Sequence, residues 1–217
     1  MDRLDISAES ASSRAYRALE RAIVTLDLAP GSVTTEGALT DRLGFGRTPL
    51  REAIQRLAWE GLLEIRPRAG LAIAPLHAGD WLRVLDARTG IEIVLARSAA
   101  RFATPEAGAR FELAAQAMHR AVLASDVVGF LEADKALDEA MALAADNPFA
   151  ARLAAPLQTH SRRFWFRYQR ETGLAESAGR HVELIQKILD RDEAGAAAEA
   201  ERLMVLLRGH AEAAVRR

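Results

Sequence analysis

Four ionisable residues, far apart along the chain, sit where apolar residues would be expected. Asp134 and Asp138 lie one helical turn apart on the face set by Phe130, Leu131, Leu137 and Met141. His181 falls among Leu174, Leu184, Ile185 and Ile188, and Arg88 falls within the stripe Trp81, Val84, Ile91, Leu95 and Phe102. Buried charges are costly unless paired, so such a set implies either a structural ion-pair network or a polar cavity. Carboxylates and imidazole at this spacing are competent ligands for a hard or borderline metal, and an arginine opposite them is a natural carboxylate clamp. With no cysteine in the chain, any metal site has to be built from His, Asp or Glu.

A second constellation lies nearer the N-terminus. If Leu50, Ile54 and Leu57 form the buried face of a helix, then Arg47, Thr48, Arg51 and Gln55 share the opposite face, near the helix start. Arginine there can read guanine bidentately or clamp phosphate. Residues 42 to 70 hold six arginines (42, 47, 51, 56, 66, 68) against three acids (52, 60, 64). The whole chain, with 29 Lys plus Arg against 30 Asp plus Glu, carries a formal charge of only -1, so any nucleic-acid function must be local to this segment.

The elements that must hold these residues are mostly helical. The chain has 217 residues, half of them apolar, with 6% aromatic residues and abundant alanine and arginine, a composition that favours helices over a large sheet. Periodicity predicts helices over 12–27, 35–43 and 47–60, then short alternating runs at 63–66 and 71–74 around Pro67-Arg68-Ala69-Gly70, which read as a hairpin. Residues 76–80 read as a linker. From Trp81 onward, turn signals near 103–105, 125–126, 146–148, 172–173 and 190–193 leave room for six helices, with Thr104, Ser125 and Asp146 as expected caps. The expected fold class is mainly α: a winged helix-turn-helix over 1–75, the 76–80 linker, and an all-helical bundle over 81–217. In the aromatic segment 158–170, Leu153, Leu157, Phe164 and Tyr168 are expected in the core with most arginines solvated, and His77, His119 and His160 join no constellation. The N-terminal MDRLDISAES does not resemble a secretory signal and no apolar run is long enough to span a bilayer, so the cytoplasm is the expected compartment.

The stretch from Thr34 to Ile73 resembles the DNA-binding domain of the GntR family of bacterial transcription regulators. The likeness rests on Leu28-Ala29-Pro30-Gly31, Glu36, Arg47-Thr48-Pro49-Leu50-Arg51-Glu52-Ala53, Leu57, Glu60-Gly61-Leu62 and Gly70. It implies that Arg47, Thr48, Arg51, Gln55, Glu36, Arg68 and Gly70 form the DNA-binding set, on a palindromic double-stranded operator bound by a homodimer. Gly46 stands where the family usually has a serine or threonine cap, so one phosphate contact is expected to be missing.

The remainder resembles the FCD ligand-binding domain of the FadR subfamily, through Arg88-x-x-x-Glu92, Asp134 to Asn147 and His181 to Asp192. The resemblance implies an effector pocket for a small organic acid lined by Arg88, Asp134, Asp138 and His181. In many members one Asp and three His hold a divalent metal. Asp134 and His181 match that quartet, while Asp138 and Leu203 stand at two expected histidines. The reading therefore leans to a pocket without metal, with one zinc, nickel or manganese ion on Asp134, Asp138 and His181 as the alternative. The expected function is a ligand-responsive repressor, not an enzyme. A metal-dependent hydrolase or isomerase using Asp134, Asp138 and His181, and a constitutive DNA-binding regulator with a vestigial pocket, are the competing readings.

Overall fold

A computed structural model describes residues 9–168 and 173–216. Most of the N-terminal MDRLDISAES, the end of the aromatic segment at Gln169 and Arg170, and the turn signal at 172 lie outside the described residues. The chain divides into two compact units, 1–76 and 77–217.

Among the described residues, the first unit is three helices and a small sheet. Helix α1 (Ala11–Val24) is capped by Ser10, whose side chain accepts from the Ser13 N–H. It ends earlier than the expected residue 27, because Thr25 closes the last turn and Leu26 adopts φ +62°, which a right-handed helix cannot contain. Strand β1 (Val33–Thr34) leads to α2 (Glu36–Leu43), capped by Thr35 and stopped by Gly44 in the left-handed region. Helix α3 (Arg47–Trp59) follows a three-residue turn, and then come β2 (Leu63–Arg66) and β3 (Gly70–Ile73). The sheet is antiparallel in the order β1-β3-β2, so the expected hairpin carries a third strand, β1, too short to leave an alternating pattern. Leu19, Ile23, Leu39, Leu50, Ile54, Leu57, Leu62 and Ile73 form one core. Gly70 is required where it stands: its φ is +94°, and a Cβ there would lie 2.4 Å from the Thr34 carbonyl oxygen.

Among the described residues, the second unit is six helices: α4 (Ala78–Phe102), α5 (Pro105–Ala124), α6 (Val127–Ala144), α7 (Pro148–Tyr168), α8 (Gly173–Leu189) and α9 (Glu193–Val215). Helix α4 begins inside the expected 76–80 linker. It packs most extensively on α9 and α7, and buried alanines on both α4 (Ala96, Ala99, Ala100) and α9 (Ala196, Ala197, Ala200) provide the low side-chain relief that close packing needs. Thr104 caps α5 as expected, with Pro105 in the first turn. Two other caps fall one residue later than expected. Ser125 has φ +52° and terminates α5, so the extended residue that caps α6 is Asp126; Asp146 has φ +49°, and Asn147 accepts from the Ala150 N–H instead. Phe102 and Leu153, both expected inside, are exposed. Among the described residues, no helix is long and apolar enough to cross a membrane.

Candidate functional site

In the first unit, α3 turns Leu50, Ala53, Ile54 and Leu57 inward, which leaves Arg47, Thr48, Arg51 and Gln55 together on its exposed face. Its N-cap, Gly46, makes no side-chain hydrogen bond, as the absence of a hydroxyl requires. Arg51 is not loose: Nη2 and Nε donate to the two carboxylate oxygens of Glu36 at 2.9 and 3.3 Å, a forked pair linking α3 to the start of α2. Arg56 pairs with Glu60 and Arg66 with Glu64. Arg47 and Arg68 carry no ion pair among the described residues, and both are exposed. Arg68 holds φ +64° at the tip of the β2–β3 turn. Two unpaired guanidiniums, one at the start of α3 and one on the wing, with a pre-oriented third at Arg51, are a donor set for a phosphate backbone and base edges.

In the second unit, Arg88, Asp134, Asp138 and His181 meet as expected, all buried. Two further residues complete the cluster. Glu92, one turn beyond Arg88, accepts from Arg88 Nε at 2.6 Å and from Gln158 Nε2 at 2.9 Å. Arg162 enters from α7, with Nη1 2.5 Å from Asp138 Oδ2 and 3.4 Å from Asp134 Oδ2, while Nη2 donates to Thr159 Oγ1 at 3.1 Å. The expectation that most arginines of 158–170 are solvated is corrected here, since Arg162 and Arg163 are buried. The signal was present in the sequence: Gln158, Arg162 and Trp165 recur at helical spacing, and the structure buries all three.

His181 is held between two acceptors. Its Nδ1 lies 2.6 Å from the Ser177 carbonyl oxygen and its Nε2 lies 2.8 Å from Asp134 Oδ1, so with Asp134 ionised both bonds exist together only if both nitrogens carry protons. Burial works against that charge, and the Asp134 carboxylate with the Ser177 carbonyl outweighs it, raising the imidazole above its ordinary value. Asp134 is likewise opposed by burial but held well below the usual carboxylate range by His181, Arg162 and Arg88. Burial and the neighbouring Asp134 push Asp138 up to about 7, against the pull of Arg162 and Arg88. Three cationic side chains, Arg88, Arg162 and His181, thus face three acidic ones, Glu92, Asp134 and Asp138.

Arg88 is only partly engaged. Its Nε bonds Glu92, but neither terminal nitrogen makes a hydrogen bond to a described residue; Nη2 is 3.8 Å from Asp138 Oδ1. Arg88 lines a cavity of about 20 Å³ together with Asp134, Ser161, Arg162, Ser177 and His181, and Phe130, Leu131, Trp165 and Leu207 make the apolar side. That space holds a water but not an organic acid.

The metal quartet implied by resemblance does not fit these residues. Arg162 stands between the two carboxylates, His181 directs a proton at Asp134 where a ligand would direct a lone pair, and α9 lines the cavity with Leu207, with Leu203 buried one turn away. Among the described residues, no group of three or more His, Asp or Glu is arranged to hold a metal ion. His210 does not line the cavity.

Comparison with known proteins supports the same division of the chain. Residues 11–73 match the gntR family of bacterial regulatory proteins, and residues 83–206 match the FCD domain. An HTH-type transcriptional regulator from the TAR-I ttuE-ttuC' intergenic region of Agrobacterium vitis is 31% identical over 139 residues, covering 63% of this chain and 81% of that protein. The HTH-type transcriptional repressor RspR of Escherichia coli K12 is 36% identical over 94 residues, 41% of this chain and 39% of that repressor. The solved structure of E. coli McbR/YncC shares the fold at 17% identity, with a TM-score of 0.76, over 91% of this chain and 95% of that one. With a winged helix-turn-helix ahead of a six-helix FCD domain, the chain belongs to the GntR family of bacterial regulatory proteins, in the FCD-containing FadR subfamily, and is a transcriptional regulator and not an enzyme.

Proposed function

We propose that the chain is a ligand-responsive repressor that binds a palindromic operator as a homodimer and senses a small organic acid in its helical unit. Arg47, Thr48, Arg51, Gln55 and the wing residues Arg68 and Gly70 form the DNA-facing set, with Glu36 orienting Arg51 through the forked pair. The observation that carries the sensor reading is Arg88, a buried guanidinium on a cavity wall whose terminal nitrogens make no hydrogen bond to a described residue. Arg88 lines the cavity, and a carboxylate bound there would accept from both terminal nitrogens as a forked, charge-assisted pair. The cavity must widen to admit such a ligand, so ligand binding and a change in the helical packing are one event. An anion that favours the widened form changes operator affinity by its differential affinity for the two forms, and the operator changes anion affinity by the same factor.

The test is fluorescence anisotropy of the full chain on duplex DNA from upstream of its own gene, titrated with a panel of sugar acids, dicarboxylates, aromatic acids and amino acids. At least one acid is expected to weaken DNA binding in the wild type and to lose that effect in Arg88→Met. Operator affinity indifferent to every acid would favour a constitutive regulator.

A further inference from the structure

The relation of Arg162 to the two aspartates carries the reading of the helical unit further, and rests on that unit being the ligand sensor. We propose that Arg162 is a built-in cation: its guanidinium takes the place between Asp134 and Asp138 that a divalent ion takes in metal-binding FCD domains. The chain then receives its organic anion through guanidinium groups alone.

Three observations converge on this assignment. Arg162 is held in place by α7 itself, where Thr159 Oγ1 accepts from Nη2 at 3.1 Å and turns Nη1 toward both carboxylates. The carboxylates are therefore engaged by a planar donor whose hydrogens occupy the lone-pair directions a metal would need. Charge also weighs against a metal. Arg88, Arg162 and His181 already face Glu92, Asp134 and an Asp138 that burial and Asp134 push toward its neutral form, so a divalent ion would add to a buried cluster with no negative charge to spare. Finally, the position facing the cluster from α9 is aliphatic, Leu207, so a fourth ligand is missing on that side.

The assignment changes the ligand class. A metal centre favours acids that chelate, with a hydroxyl or oxo group beside the carboxylate. A guanidinium fork needs only the carboxylate, and the apolar part of the lining here is Phe130, Leu131, Trp165 and Leu207. The ligand class this lining selects, once the cavity widens, is a monocarboxylate with an apolar or aromatic body, recognised without chelation.

Elemental mass spectrometry on tag-free full-length protein purified without chelator tests the assignment, alongside melting curves with and without zinc, nickel and manganese. Wild type is expected to be metal-free, with a melting temperature moved by neither metal nor chelator. Arg162→Ala frees both carboxylates and is expected to take up close to one ion per chain and to be stabilised by it. Arg162→Lys keeps a cation in place and is expected to behave as wild type. Near one metal per chain in wild type, lost in Asp134→Ala, would overturn the proposal; so would a folded Arg162→Ala protein that takes up none. If Arg162→Ala does not fold, the wild-type and Arg162→Lys metal contents decide. These readouts involve neither DNA nor organic ligand, so their failure leaves the sensor reading intact, while an absent response in the anisotropy test leaves the metal result standing.

Discussion

Replacing Asp134 with asparagine keeps the shape of the buried cluster and removes one of its three acidic groups. In the native arrangement Asp134 accepts from His181 at 2.8 Å and lies 3.4 Å from Arg162, and all three residues are buried. Without it, His181 loses its carboxylate partner away from water, and breaking such a buried pair costs about 3 to 5 kcal/mol. For a unit spanning residues 77–217, each kcal/mol moves the melting midpoint by about 3 °C, so a loss of about 10 to 15 °C is expected near pH 6. The penalty should shrink as pH rises, and the sign follows from His181. In wild type its pKa is raised, so its contribution is full below the unfolded value of about 6.5 and fades as pH climbs through the folded value. In Asp134→Asn, burial is no longer opposed by the carboxylate, so the imidazole sheds its proton readily. It then donates from Nδ1 to Ser177 and accepts at Nε2 from the new amide, which restores the local hydrogen bonding above pH 7. Calorimetry of both proteins at several pH values between 5.5 and 8.5 gives the comparison. A cost below about 1 kcal/mol at pH 6, or one that does not vary with pH, would refute the imidazolium–carboxylate account.

Other consequences are equally direct. Arg47→Ala removes an exposed, unpaired guanidinium and should weaken operator binding by about 1 to 3 kcal/mol if it reads a base, measured by anisotropy. Arg68→Ala should instead weaken binding to all sequences alike and lower the salt slope by about one, the signature of a phosphate contact. Glu36→Ala breaks an exposed pair, so thermal stability should change by less than about 0.5 kcal/mol while discrimination between operator and random DNA falls, because Arg51 loses its orientation. Gly70→Ala places a methyl group against the Thr34 carbonyl at a φ that side chains avoid, and should destabilise the 1–76 unit by about 1 to 3 kcal/mol in calorimetry.

Much of this architecture was legible in the sequence because it rests on local rules. Leu50, Ile54 and Leu57 fix the buried face of α3, and therefore its exposed one. Thr104-Pro105 announces the start of α5, and Gly44 the end of α2. The buried Arg88, Asp134, Asp138 and His181 stood out as charges at apolar positions of otherwise regular helices. What escaped has physical causes. Strand β1 is two residues long and exists only through its pairing with β3, so nothing in Val33–Thr34 marks it. Caps shifted by one residue at Asp126 and Asn147 because an acid or serine beside the true cap carries the left-handed turn that closes the preceding helix. Spacing alone does not assign Arg162 to the cluster, because α7 has a mixed face, with Phe164 and Trp165 buried beside Gln158, Thr159 and Ser161. An arginine adjacent to aromatics reads as solvated until the acids opposite it, supplied by α6, are in view.

If the face of α3 reads a specific site through Arg47 and Arg51, repeated selection of duplexes from a random pool by the full chain, followed by sequencing, should enrich one two-fold-symmetric sequence. Wild-type affinity for that sequence is expected to lie far above that for scrambled DNA, and the preference to be lost in Arg47→Ala and Arg51→Ala. A pool that stays random, or an enriched site bound equally well by both variants, would contradict that reading.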